Sequence, residues 1–493
     1  MGTTMPSTDE FAIEASRAEE PYFYRAPYAE NADGFTPMEF QYAGAEYILA
    51  RNHGLLGDAP GLGKTLQAIM VSNAIEAKHT LVICPASLRL NWEREIWRWS
   101  TQTNVSTYPI MKAKDGVSLE AEWVITSYDM LRNKNIHAAL MDQRWDHVIL
   151  DEAHAIKDPK GNLRTKAICG WNHKGEYVPG LVDVAGRITL ASGTILPNQP
   201  IECYNAVRML NWNAIDEISL EDFKEYYYDF GKGFINVFDR ATGKWKTKFT
   251  NKVRNQPRNL DDLQYRLRKH IMVRRLKEQV LTQLPKKQWH VFPLEATAAI
   301  RDALKHPGWQ KAEKLWQLDP DAFDTSLPID GAISTARNLL GDAMAPDVAN
   351  YIDDLIESGV EKVIVAAWHH TVLDYLRKEL APHGLVYMDG RMSTVKKQAV
   401  VDLFQTDPRV KIILGQMIPL GVGWTLTAAQ DAVLAEIDFV PGNNDQFVDR
   451  IHRMGQKGDH VLAHVPFVPG TLAEKIMGRV VEKSQHIHLA LDA

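Results

Sequence analysis

The stretch Gly57-Asp58-Ala59-Pro60-Gly61-Leu62-Gly63-Lys64-Thr65 constrains this chain more than any other. It follows a short apolar run, Gly54-Leu55-Leu56, and leads into Leu66-Gln67-Ala68-Ile69-Met70, which reads as the start of a helix. A strand that turns through glycines into a helix can fold its backbone around phosphate oxygens, and the helix N-terminus favours negative charge. In such a loop Lys64 reaches the β- and γ-phosphates, and the Thr65 hydroxyl is placed to ligate Mg²⁺. Asp58, Ala59, Pro60, Gly61, Leu62, Gly63, Lys64 and Thr65 are the expected nucleotide cradle. Asp58 stands where the strict pattern has glycine. Taken alone, the stretch is also compatible with a Gly-rich turn carrying a solvated lysine.

The chain around the loop alternates between strand and helix patterns. Thr80-Leu81-Val82-Ile83-Cys84-Pro85 is an apolar run closed by proline, read as a buried strand. Ser87 opens a Trp- and Arg-rich helix through Trp92, Trp97 and Trp99. Trp123–Ser127 is another strand with hydroxyls at its end. His147–Leu150 is a third and runs into Asp151-Glu152-Ala153-His154. Arg187–Ala191 is a fourth and ends in Ser192-Gly193-Thr194. Polar residues directly after buried strands predict a parallel sheet with its site at the strands' carboxyl ends. An Asp there can hold Mg²⁺, and a neighbouring Glu can polarise an attacking water. Upstream, the Gln41 amide can both donate to and accept from an adenine edge.

From about Asn205 to Lys287 this rhythm breaks, and the stretch reads as a mostly helical insertion. Residues 288 to about 340 read as further connecting helices, with a loop near Asp319-Pro320-Asp321. Strand–helix alternation then resumes through Lys362–Ala366, Leu385–Met388, Lys411–Leu414 and Ala432–Ala435, a second α/β lobe without a phosphate loop. Near its end stands Gln446-Phe447-Val448-Asp449-Arg450-Ile451-His452-Arg453-Met454-Gly455-Gln456. On a helix Arg450 and Arg453 share a face, and two guanidiniums aimed at one point suit a γ-phosphate; a surface pair forming ion pairs is the plainer alternative.

At 493 residues the chain is too long for one ordinary domain. Three cysteines without a C-x-x-C pair argue against a zinc module or disulfide framework and fit a reducing compartment. No apolar run is long enough to span a bilayer, and the acidic N-terminal stretch to about residue 34 does not read as a signal peptide. It is expected to be partly disordered or draped on the surface. Net charge is −6, but Asp239–Lys287 carries 15 Lys+Arg against 4 Asp+Glu, a local +11 on a remainder of −17. Such a patch is the electrostatic footprint expected for a polyanion, or else a solvated charged surface.

Together these residues resemble a known family. The order Gln41, Gly-Leu-Gly-Lys-Thr, Asp-Glu-Ala-His, Ser192-Gly193-Thr194 and Asp449–Gln456 is that of the superfamily-two helicase-like ATPases. Met272-Val273-Arg274-Arg275-Leu276 through Pro285, and Ile125-Thr126-Ser127-Tyr128-Asp129-Met130-Leu131, resemble the Swi/Snf-type DNA translocases. Ile333–Arg337 and Ala435–Gly442 resemble the annealing-helicase (HARP-like) branch. Two departures stand out. Asp58-Ala59-Pro60 replaces the family's usual Asp-Glu-Met, and Met417-Ile418-Pro419-Leu420 replaces small residues before Gly421-Val422-Gly423. No accessory module is apparent outside the core.

The resemblance implies an α/β fold of two RecA-like parallel-sheet lobes with a helical insertion between them. The expected boundaries are an acidic tail over 1–34, lobe 1 over 35–205, the basic insertion and linker over 206–340, and lobe 2 over 341–493. ATP and Mg²⁺ are the implied cofactors. Lys64, Asp151 and Glu152 would act from the first lobe and Arg450 and Arg453 from the second, with Thr65 and Asp151 on the metal. Gln41, Gly423 and Gln456 join the nucleotide-binding set. Thr126, Thr194, Lys244, Lys246, Lys248, Arg274 and Arg275 are the implied DNA contacts. The partner is DNA, mainly double-stranded and bound with little sequence preference, and no membrane. The expected location is the cytoplasm and its nucleoid, or a nucleus in a eukaryote. Three activities fit: translocation on duplex DNA, strand-separating or fork-remodelling and annealing helicase action, or a DNA-bound scaffold that has lost hydrolysis.

Overall fold

The first sheet is built from strands that read as nearly unbroken apolar runs, as strands buried on both faces must. The computed structural model describes residues 8–24, 34–102, 104–239, 244–318, 332–421 and 423–492. In chain order the strands begin with β1 (His53–Leu56), β2 (Thr80–Cys84), β3 (Thr107–Pro109), β4 (Trp123–Ser127) and β5 (Trp145–Asp151). They continue with the short antiparallel pair β6 (Trp171–His173) and β7 (Glu176–Val178), then β8 (Ala185–Ala191). After them come β9 (Tyr228–Asp239), β10 (Lys244–Pro257) and β11 (Met272–Val273). The first sheet has the order β11-β1-β8-β5-β2-β4-β3, and its neighbours pair in parallel.

The second sheet comprises β12 (Lys287–Pro293), β13 (Val363–Ala367), β14 (Leu385–Met388), β15 (Ile412–Gln416), β16 (Asp431–Leu434) and β17 (Val461–Phe467). Its order is β12-β17-β16-β13-β15-β14, again parallel. Val363 and Val365 join one apolar cluster with Ile412, Leu414 and Val433, while Ile364 and Ala366 join another with Ile413, Ala432 and Leu434. Side chains alternate across a strand, so this partition means that both faces are covered.

The chain divides into two compact units. One holds residues 1–227, 259–282 and 486–493; the other holds 228–258 and 283–485. The stretch 206–340, expected as a single insertion and linker, is thus shared between them.

Two expectations need correction. The insertion is not mostly helical. Helices Leu220–Tyr227 and Leu260–His270 flank a long antiparallel hairpin, β9–β10, with Lys246 opposite Val237 and Phe249 opposite Phe234. Its sequence explains this: Lys244-Trp245-Lys246-Thr247-Lys248-Phe249-Thr250 alternates with period two and is rich in aromatic and β-branched residues. The stretch after 288 is not wholly helical either, since Lys287–Pro293 forms β12, paired along its length with β17. Helices Ala298–Lys305 and Pro307–Leu318 follow, and the expected loop near Asp319 lies outside the described residues. Residues 8–24, expected to be partly disordered or draped on the surface, are mostly exposed and anchored at a few points. Thr8–Ala15 is a helix, Asp9 pairs with Lys269 at 2.7 Å, and the buried Ser16 accepts the Arg274 N–H through its carbonyl. All three cysteines are buried and free, and among the described residues no helix is long and apolar enough to cross a membrane.

Candidate nucleotide site and nucleic-acid determinants

The phosphate-loop stretch leaves the carboxyl end of β1 and enters the helix Lys64–Ala74. Backbone bonds extend the sheet pairing into the loop: Gly57 N–H donates to the Val273 carbonyl (2.8 Å), and Ala59 N–H to that of Arg275 (3.0 Å). Gly61 and Gly63 lie in the left-handed region at φ 90° and 73°. The left-handed backbone demands glycine at 63, and a Cβ there would also sit 2.3 Å from the Gln41 Nε2 and displace that side chain. Gly63 caps the helix without a side-chain bond, which leaves the helix N-terminus suited to an anion. The Lys64 ammonium folds back on the loop, donating to the carbonyls of Asp58 (2.7 Å) and Ala59 (3.2 Å).

Asp58 does not point into the cradle. Its carboxylate is fully buried and doubly bound by Arg275, with Oδ1 accepting from Nε at 2.9 Å and Oδ2 from Nη2 at 2.6 Å. Oδ1 also accepts the Arg275 N–H (2.9 Å), and Oδ2 the Gln67 Nε2 (2.9 Å). Gln41, expected at an adenine edge, is buried too. Its Nε2 donates to the Leu62 carbonyl (3.3 Å) and its Oε1 accepts the Met38 N–H (2.9 Å). In this conformation it ties its helix, Glu39–Leu49, to the loop.

Asp151 ends β5, with β8 between β5 and β1. Its Oδ2 accepts from the Trp92 indole at 2.8 Å and its Oδ1 from the Glu152 N–H at 3.0 Å, while the buried Tyr128 hydroxyl holds its carbonyl (2.8 Å). Burial first, and the Glu152 charge second, push the Asp151 carboxyl above the usual range; Trp92 and Lys64 oppose this. Glu152 sits at φ 51°, an uncommon backbone for a non-glycine residue, and its Oε2 lies 3.3 Å from His154 Nδ1. Such outliers concentrate at functional sites. The Ser192–Thr194 turn packs on the loop: a Cβ on Gly193 would lie 2.8 Å from Pro60 Cδ and 2.9 Å from the Asp58 carbonyl. Lys64, Thr65, Asp151, Glu152 and this turn therefore gather at the carboxyl edge of one sheet.

The implied DNA contacts fare differently. Thr126 is fully buried, and its hydroxyl has no hydrogen-bond partner, so it presents nothing to a polyanion in this conformation. Arg274 and Arg275 are buried as well. Arg275 serves Asp58, and Arg274 binds the carbonyls of Gly57 (2.6 Å) and Gly193 (3.0 Å) together with Asp492. Both arginines brace the loop rather than face solvent, because β11 joins the first sheet beside β1. Thr194 is half-buried. Lys244, Lys246 and Lys248 are alternate residues of β10, opposite Asp239, Val237 and Ile235.

In the second unit the helix Pro441–Val448 stops before the arginine pair, so Arg450 and Arg453 occupy turns and do not share a helix face as expected. Arg450 is buried, with Nε donating to the Gln446 carbonyl (2.9 Å). Arg453 is half-exposed and donates to the Asp449 carbonyl (3.1 Å) and the Thr425 hydroxyl (3.4 Å). Gln456 holds the carbonyls of Ala429 (2.8 Å) and Ile451 (2.9 Å), and Gly423 has φ 81°. Two supports were missed in the sequence. Lys287 pairs with Asp445 (3.0 Å) and Asp449 (3.3 Å), and His452 Nε2 lies 2.9 Å from the Pro285 carbonyl. Burial pulls the Lys287 pKa down, but the two carboxylates hold it above the ordinary lysine value. The two stretches that resemble one branch meet: Arg337 donates to the Ile437 carbonyl (2.8 Å), and its guanidinium lies 4.4 Å from the Phe439 ring centroid.

Comparison with known families matches residues 40–328 to the SNF2-related domain and residues 347–455 to the helicase conserved C-terminal domain. The chain belongs to the SNF2-related family. Among its relatives are the SWI/SNF-related matrix-associated actin-dependent regulator of chromatin subfamily A-like protein 1 of Xenopus tropicalis, 30% identical over 458 residues, and the DNA annealing helicase and endonuclease ZRANB3 of Homo sapiens, 27% identical over 460. Each alignment covers 91% of this chain but only 44% and 40% of the relative, so the SNF2-related chain spans less than half their length. A Sulfolobus solfataricus SWI2/SNF2 ATPase core, solved in complex with dsDNA, aligns with TM-score 0.42 and 19% identity over 95% of this chain and 99% of that one. Within the SNF2-related frame, the Asp58-Ala59-Pro60 departure keeps the one residue whose side chain is spent, on Arg275, and changes the two that follow.

Proposed function

We propose that this chain is an ATP-driven motor that hydrolyses ATP when bound to DNA and translocates on the duplex, remodelling DNA structures or protein–DNA complexes. The observation that carries this is the gathering of Lys64, Thr65, Asp151 and Glu152 at the carboxyl edge of the first sheet, with the Ser192–Thr194 turn packed on the loop.

The residues fit the groups implied. The glycines at 61 and 63 take the left-handed backbone that a phosphate-wrapping loop needs, next to a helix start without a side-chain cap and a lysine ammonium. Thr65 and Asp151 are hard oxygen donors of the kind Mg²⁺ takes, and the raised Asp151 pKa is what a nearby cation would reverse. Mg²⁺ held there supplies charge neutralisation to the phosphate oxygens. Lys64 neutralises the β- and γ-phosphates, and Glu152 orients and deprotonates the attacking water. Arg453, half-exposed, is the better placed of the two arginines to meet phosphate; Arg450 supports its turn.

DNA is proposed as the partner, gripped through phosphates with little sequence preference by Lys244, Lys246 and Lys248 of the hairpin, with Thr194 beside the loop. The working place is the nucleoid or a nucleus. A second reading, strand-separating or fork-remodelling and annealing helicase action, is favoured by the similarity to a relative named a DNA annealing helicase. The intact Lys64 and Glu152 speak against a scaffold without hydrolysis.

Glu152→Gln tests the assignment. It is expected to bind ATP as the wild type does but to lose turnover by about 10²–10⁴-fold, the usual worth of a general base. Near wild-type turnover with DNA present would remove Glu152 from that role. Parallel strand-displacement and strand-annealing assays on the wild type separate the motor from the second reading.

A further inference from the structure

The loop is braced from the far end of the chain. The helix Leu472–Leu491 ends beside β11, and the next residue, Asp492, pairs with Arg274 through both carboxylate oxygens, with Nη2 to Oδ2 at 3.1 Å. Both side chains are more than nine-tenths buried. Arg268 supports the arrangement from below, donating to the carbonyls of Leu491 (2.8 Å) and Arg274 (3.1 Å). A cation at those last carbonyls suits the negative end of the helix. The face of Arg274 not used by Asp492 reaches the carbonyls of Gly57 and Gly193 through Nη1. Gly57 begins the phosphate loop and Gly193 is the centre of the turn packed upon it. One guanidinium thus holds the two segments together, and the carboxylate that fixes its plane comes from residue 492.

The geometry points to Asp492 as a positioning residue for the nucleotide cradle: by orienting Arg274 it holds the phosphate loop and the Ser192–Thr194 turn in one arrangement. This rests on the reading of residues 57–65 as the nucleotide cradle. A bidentate arginine–carboxylate pair is directional, so loss of one partner lets the guanidinium rotate off the carbonyls. Burial pulls the Asp492 carboxyl up, yet Arg274 and His488 hold it below the usual carboxylate range, so it is the charged form that does the orienting.

The test uses the full chain and the variants Asp492→Asn, Asp492→Glu, Arg274→Met and the double variant Arg274→Met with Asp492→Asn. Affinity for a fluorescent ATP analogue, KM and kcat for ATP with duplex DNA, and Tm are measured on each. Asp492→Asn is expected to weaken analogue binding and raise KM on the order of tenfold, the scale of one buried charge-assisted hydrogen bond. Asp492→Glu should recover most of that loss, and in the Arg274→Met background Asp492→Asn should add nothing, because the two act as one unit. Wild-type affinity and KM in Asp492→Asn, with or without a lower Tm, would overturn the proposal. So would an equal effect with Arg274 absent. If Arg274→Met does not fold, the Asn and Glu variants at 492 decide alone. A wild type that binds no analogue removes the underlying reading and this proposal together, whereas loss in Lys64→Ala with none in Asp492→Asn removes this proposal only.

Discussion

At the scale of residues, the site consists of groups held where water would otherwise prefer them free. Asp58 and Arg275 are both fully buried and satisfy one another, so removing either would strand a charge inside the first unit. The arginines of the second unit differ in exposure, Arg450 being buried and Arg453 half-exposed, and the proposed division of roles follows that difference. Arg450→Ala should lower the stability of that unit by roughly 2–5 kcal/mol, the range for emptying a large packed site. Arg453→Ala should leave melting nearly unchanged and cost on the order of 10³ in turnover if it meets phosphate during hydrolysis. Thermal melts paired with ATPase rates separate the two, and equal losses in both assays from both variants would refute the division. The placement of Lys64, Thr65, Asp151 and Glu152 at the carboxyl ends of strands was legible in the sequence, because each stands in a short contiguous pattern directly after an apolar run. The partners of Asp58 and Arg274 were not. Arg275 lies 217 residues from Asp58 and is brought in by β11 beside β1, and Asp492 lies 218 residues from Arg274, both beyond the reach of any local pattern. For the same reason Arg274, Arg275 and Thr126 read as exposed DNA contacts when they are interior.

At the scale of elements, β2, β4, β5 and β8 were legible because a strand buried on both faces has to be a continuous apolar run. The edge strand β12 and the hairpin were not: β12 is largely exposed and has no apolar run to mark it, and the hairpin alternates polar and apolar residues, so each depends on a partner strand for its identity. One buried polar relay ties the elements of the site together. His147 on β5 bonds Ser72 of the loop helix and Thr189 of β8, both at 2.7 Å. Burial, and then the Arg187 charge, depress its pKa to about 3. The folded value lies below the unfolded one, about 6.5, so the unfolded chain binds the proton first as pH falls. The neutral ring's contribution is therefore whole above pH ~6.5 and is lost progressively toward pH ~3, by at most about 1.4 kcal/mol per unit. Denaturant melts across that window should show a shallower fall for His147→Gln than for the wild type. Identical slopes would mean that the ring is not held neutral. For the hairpin, changing Lys244, Lys246 and Lys248 together to Ala should weaken binding to all duplexes alike. The slope of log affinity against log salt should drop by about 0.9 for each phosphate that a lysine no longer neutralises. A weakening confined to single strands, measured at several salt concentrations, would favour strand separation over duplex tracking.

At the scale of the whole molecule, the chain carries two parallel sheets of similar build, of which only the first has a phosphate loop, together with a basic stretch on an otherwise acidic body. On the proposed function, ATP hydrolysis accounts for the first sheet's carboxyl edge, and a duplex partner accounts for the charge. The account joins them in one claim, that DNA binding drives ATP turnover. The direct measurement is the steady-state ATP hydrolysis rate of the wild-type chain with and without saturating duplex DNA, with Lys64→Ala as the blank. The account predicts slow turnover alone, a several-fold or greater rise with duplex that declines as salt rises, and none in Lys64→Ala. Turnover that ignores duplex DNA, or ATP binding without turnover in its presence, would contradict it.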